Sequence, residues 1–251
     1  MVAAPHVRCF REKNDEFVEA IKILHEDCAG NFTPYVDAAD IVIGTPWLTE
    51  EGPNYIAFDD NNTPLGFLAV GWNMTREQMM KRLENISPPP PLPEKISCAI
   101  REDFSKIEEH ISDLSQIRRL SPQEACQILG GSYNIFLFVA AKERGHGVGS
   151  LLLSFLPEVV QEKNLEGRKI RYKSRIPNLS SVALLLKASK NLGLRPDVYL
   201  EAKAGEFEVT NNNSSSEQRV PYDQFITFLL SHDTEGIGFD IIENFVHSTR
   251  A

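Results

Sequence analysis

The sequence predicts an α/β (α+β) fold on three observations. "NYIAFDDNNTPLGFLAVGW" from Asn54 reads as a hairpin: Tyr55 to Phe58 and Leu65 to Val70 are strand-like, and "DDNNTP" between them is turn chemistry. "YNIFLFVAA" (Tyr133 to Ala141) is a continuous apolar run, the pattern of a strand buried on both faces, and a glycine-rich turn follows it. "RKIRYKSR" (Arg168 to Arg175) is a further strand, succeeded by a helix from about Leu179 that Gly193 ends.

The remaining elements follow in chain order. "HVRCF" (His6 to Phe10) alternates and predicts an opening strand. Asn14 and Asp15 cap a helix through about Cys28, with Phe17, Ile21, Leu24 and Cys28 on one stripe and Gly30 as its stop. Residues 72–131 form an insertion expected to be helical. Thr75 and Gln78 make a capping-box pattern, and Phe104, Ile107, Ile111 and Leu114 recur at helical spacing. Ser121, Pro122 and Glu124 open another helix that Gly130 and Gly131 end. Between these, "SPPPPLP" (Ser87 to Pro93) is expected as polyproline II. Leu151, Leu152, Phe155 and Val159 predict a helix kinked or restarted at Pro157. "DVYLEA" and "GEFEV" are late strands. "NNNSSSEQ" from Asn211 is a polar linker, and Pro221 to Leu230 and Ile241 to Val246 are expected as small terminal helices.

Composition narrows the function classes. The chain has 251 residues, of which 42% are hydrophobic, enough for a packed core. Its formal net charge of -9 disfavours a nucleic-acid binder, which is more often basic. Cys9, Cys28, Cys98 and Cys126 are dispersed, with no CxxC and no Cys/His cluster, so neither a zinc site nor a disulfide framework is expected. No basic region followed by an apolar core opens the sequence, and no apolar run approaches about 20 residues. The expectation is a cytoplasmic protein with no metal, no nucleic-acid partner and no membrane association.

"KERGHGVGSLLL" (Lys142 to Leu153) carries the chemistry. A helix start presents free backbone N–H groups and a positive dipole end, and glycine lets an anion approach the backbone. Strand, glycine turn and helix together make a phosphate cradle. A P-loop is excluded, because Gly149 is followed by Ser150 with no lysine. A dinucleotide fingerprint is excluded, because "GHGVGS" lacks the last glycine of GxGxxG.

The run Arg144-Gly145-His146-Gly147-Val148-Gly149 fits Arg/Gln-x-x-Gly-x-Gly/Ala at a helix start after a strand. With the element order around it, it resembles the Gcn5-related N-acetyltransferase superfamily over roughly Val7 to Val209. The resemblance implies a mixed, mostly antiparallel central sheet flanked by helices, with the insertion between the third and fourth strands. It implies an acyltransferase domain over 1–210 and an extension of polar linker and helix over 211–251.

It also implies roles. Gly145, His146, Gly147, Val148, Gly149 and Ser150 would hold the pyrophosphate of acyl-coenzyme A, and Arg144 and Lys142 would meet its phosphates. Leu137, Phe138 and Val139 would bond the pantetheine as an added strand, a Val139 backbone N–H polarising the thioester carbonyl. The family's general acid is a tyrosine four residues before the glycine of a "Y-x-x-x-G-F" ending. Here that position is Ser189, and Leu194 replaces the phenylalanine. Tyr172, Tyr199 or water are the alternatives to Ser189. Asn178 is the cofactor-contacting asparagine, one helical turn farther from Gly193 than usual. Glu143, His146, Glu50, Glu51, Asp59 and Asp60 are candidate bases. The implied reaction moves an acyl group, acetyl first, from coenzyme A to an amine: a small amine, a protein lysine or an N-terminus. The alternative is an acyl-coenzyme A-binding sensor of the same fold without turnover.

Overall fold

The computed structural model describes residues 5–12, 14–28, 53–72, 96–97, 111–175, 179–201, 206–210, 217–221, 225–231 and 233–250. In chain order the elements are β1 (His6–Phe10), α1 (Asp15–Cys28), β2 (Asn54–Phe58), β3 (Pro64–Trp72) and β4 (Ile96–Ser97). A 3-10 turn (Ile111–Gln116), β5 (Arg119–Leu120), α2 (Pro122–Leu129) and β6 (Tyr133–Val139) follow. Next are α3 (Val148–Leu153), α4 (Leu156–Glu162), β7 (Ile170–Arg175), α5 (Leu179–Asn191) and β8 (Asp197–Glu201). The last are β9 (Glu206–Thr210), β10 (Glu217–Pro221), β11 (Phe225–Leu230) and α6 (Phe239–Arg250). The chain divides into two compact units: residues Met1–Trp72 with Tyr133–Glu166, and residues Asn73–Ser132 with Gly167–Ala251.

The first unit is built on the strand order β1-β2-β3-β6, every pair antiparallel. The Asn14 side chain caps α1 by accepting from the Phe17 N–H at 2.8 Å, as its position before the apolar stripe predicts. Phe17, Ala20, Ile21 and Leu24 then bury against Phe10, Ile56, Phe58, Phe67 and Ala69. The other face of the sheet carries Tyr55, whose ring stacks on Phe155 at 4.8 Å. Pro157 sits in the first turn of α4 and so restarts the helix, where its missing N–H costs nothing. The hairpin turn is fixed by Asp59, whose carboxylate accepts from the N–H groups of Asn61 at 2.9 Å and Thr63 at 2.7 Å.

The second unit pairs β11 antiparallel with both β7 and β8, and β5 parallel with β8. A separate small sheet has the order β10-β9-β4. Buried Asp197 accepts from the N–H groups of Ile237 at 2.9 Å and Glu235 at 3.2 Å, tying β8 to the approach to α6. Gly193, in the left-handed region at φ 66, ends α5, and the Leu194 N–H returns to the Ser189 carbonyl at 2.8 Å.

α2 opens on the expected capping box. Ser121 and Glu124 bond each other's backbone N–H, and Arg118 reaches the Glu124 carboxylate at 2.9 Å. The Ser121 backbone N–H first, then Arg118 and the Ser121 hydroxyl, hold the Glu124 carboxyl down at about 2. The folded value lies below the ordinary 4.5, so the cap's contribution is full above that pH and is lost as pH falls towards 2. An NMR titration should find the Glu124 carboxyl with a midpoint near 2 and the start of α2 loosening with it. A midpoint at the ordinary glutamate value would refute the cap.

Three expectations need correction. The small helix expected over Pro221 to Leu230 gives way to strands among the described residues: β10 ends at Pro221 and Phe225–Leu230 is a strand. "FITFLL" is buried between two neighbours, and a short run apolar at all but Thr227 suits a buried strand as well as a helix. The insertion is not helical throughout, since β4 and β5 are strands and Ile111–Gln116 is 3-10. Leu114 and Ile117 are buried three residues apart, which matches three residues per turn, and the Ile117 N–H bonds the Leu114 carbonyl. Finally, β6 is half-buried along most of its length, with Ile135 alone fully buried, so its apolar run does not mark burial on both faces. Gly30, Thr75, Gln78, Ser87 to Pro93, Phe104 and Ile107 lie outside the described residues.

Candidate functional site: the glycine turn after β6

β6 lies in register with β3, pairing Leu137 with Leu68, Phe138 with Phe67 and Val139 with Gly66. The Phe138 and Phe67 rings stack at 5.5 Å. The Ala140 N–H then bonds the Leu65 carbonyl at 2.8 Å, and the chain leaves the sheet. Ala141–Glu143 makes one 3-10 turn. Gly145 and Gly147 follow with φ of 84 and 90, a left-handed conformation that glycine adopts without strain. A Cβ built on either would meet no atom within 4 Å. The turn is therefore bare because its backbone demands glycine, and not because neighbours crowd it: the space beside it is open.

Gly147 is the N-cap of α3. The Leu151 N–H bonds its carbonyl at 2.9 Å, and the N–H groups of Val148, Gly149 and Ser150 have no backbone acceptor among the described residues. Gly145, His146, Gly147 and Ser150 are exposed, whereas Val148 and Gly149 are buried. Val148 and Leu152 anchor the helix against β3 at Gly66, where an added Cβ would lie 3.0 Å from each and 2.7 Å from the Phe138 carbonyl oxygen. Gly66 thus lets α3 and β6 both close on β3. Its only signal in the sequence is a glycine inside a strand pattern.

A solved Gcn5-related N-acetyltransferase from Kribbella flavida is similar at 16% identity, over 91% of this chain and 98% of that one, with a TM-score of 0.44. A polyamine N-acetyltransferase from Drosophila melanogaster is similar at 13% identity, over 90% of this chain and 100% of that one, with a TM-score of 0.45. A phosphinothricin acetyltransferase from Sinorhizobium meliloti, solved with its acetyl-coenzyme A, is similar at 13% identity over 94% and 96%, with a TM-score of 0.43. No protein-family model and no curated protein matches the chain.

Against the residue roles implied by an N-acetyltransferase, the geometry is mixed. The His146 N–H is directed to the Glu143 carbonyl at 3.3 Å, so the N–H groups left without a backbone acceptor begin after it. Its exposed imidazole Nδ1 lies 3.7 Å from a Glu143 carboxylate oxygen. The Arg144 Nε donates to the Val139 carbonyl at 3.4 Å, bracing the end of β6, and Lys142 is exposed beside the turn. Asp59 is no free base. The Thr63 N–H first, and the Asn61 N–H with it, hold its carboxyl below the ordinary range, with Lys142 adding to the effect. Asp60 is exposed, and Glu50 and Glu51 lie outside the described residues.

Ser189, Tyr172 and Tyr199 belong to the second unit. Ser189 lies on α5 and is 7% exposed. The buried Tyr172 hydroxyl lies 2.6 Å from Ser181 Oγ; burial raises its pKa, and the Ser181 bond partly offsets this. The Tyr199 hydroxyl donates to Asp197 at 3.4 Å, and burial first, then Asp197, raise its pKa. Asn178 lies outside the described residues. Among the described residues no cluster of His, Cys, Asp and Glu is arranged to hold a metal ion, and no helix is long and apolar enough to cross a membrane.

Proposed function

We propose that the chain is an acyl-coenzyme A-dependent N-acyltransferase, with acetyl-coenzyme A as donor and an amine as acceptor. One observation carries the reading. β6 passes through two left-handed, uncrowded glycines into a helix whose first N–H groups have no backbone acceptor among the described residues. That arrangement suits a pyrophosphate bound by backbone rather than by side chains. In this reading Gly147, Val148, Gly149 and Ser150 hold the phosphates, with Gly145 giving clearance and His146 flanking them. Arg144 braces the strand end, and Leu137, Phe138 and Val139 lie along the pantetheine. Bound donor supplies the activated acyl group, and the acceptor amine must lose a proton as the thiolate gains one. The acceptor is a small amine, a protein lysine or an N-terminus, and the setting is cytoplasmic.

Release of free thiol from acetyl-coenzyme A, measured across a panel of amines and peptides, tests the reading. Turnover with at least one class is expected, alongside coenzyme binding by calorimetry. A folded chain that binds no coenzyme refutes it.

A sensor without turnover is favoured by one observation. Ser189, where the family's tyrosine acid would stand, is nearly buried, and its carbonyl closes the helix end. Ser189→Ala separates the readings. If Ser189 is the acid, turnover should fall roughly tenfold to a hundredfold with donor affinity unchanged. Turnover equal to that of the unmodified protein across pH removes Ser189 from the mechanism.

A further inference from the structure

We draw no further inference here: the strongest candidate, the buried side-chain cluster of Glu201 on β8 and Thr227 on β11, is closed by the Thr227 hydroxyl donating to the Glu201 carboxylate and so ties two neighbouring strands together, and no second observation among the described residues points to a ligand, a reaction or a switch there.

Discussion

Gly66→Ala should destabilise the protein by about 2–3 kcal/mol and abolish the seating of α3, with a lower urea midpoint at unchanged slope. The added methyl would lie 2.7 Å from the Phe138 carbonyl oxygen and 3.0 Å from both Val148 Cγ1 and Leu152 Cδ1. The oxygen cannot yield cheaply, because Phe138 is held in the β3–β6 ladder. The two side chains cannot yield together, because they are the buried anchors of α3. The helix must therefore lift or β6 must shift, and either motion carries the glycine turn with it. Coenzyme binding should be lost in the fraction that remains folded, and Gly66→Val should be worse. A variant with the unmodified protein's midpoint and a native fold would show that α3 does not depend on this close approach.

Legibility in the sequence followed the range of the physics involved. The hairpin was readable because Asp59, Asn61, Asn62 and Thr63 act on neighbours at most four residues away, and Asn62 takes the positive φ its type tolerates. α1 was readable for the same reason, through Asn14 at its cap and a stripe at helical period. The glycine turn also announced itself locally, because Gly145 and Gly147 answer to their own φ.

What failed depended on distant partners. "FITFLL" became a strand because β7 and β8 flank it, a pairing that periodicity over six residues cannot encode. Gly66 is crowded by residues more than seventy positions onward, so nothing beside it in the chain reveals its role. The general acid of the proposed reaction is illegible for a different reason. Ser189 stands four residues before Gly193, and spacing along a helix carries no information about how deeply a hydroxyl is buried.

Gly147 supplies the sharper functional test, because its backbone demands glycine while the space beside it is open. At φ 90 an alanine is strained by about 1–2 kcal/mol, yet its Cβ meets no atom within 4 Å. Gly147→Ala should therefore fold with a modest loss of stability, whereas its methyl would occupy the open space proposed for the pyrophosphate. Coenzyme affinity measured by calorimetry should fall roughly a hundredfold, about 2.7 kcal/mol, and Gly147→Trp should leave no measurable binding. The contrast with Gly66 is the useful part. Gly66 acts through packing, so its substitution should lower stability and binding together. Gly147 borders open space, so its substitution should lower binding far more than stability. Binding equal to that of the unmodified protein in Gly147→Trp, with the fold intact, would move the anion site elsewhere. Absent binding in the unmodified chain would instead defeat the coenzyme reading itself.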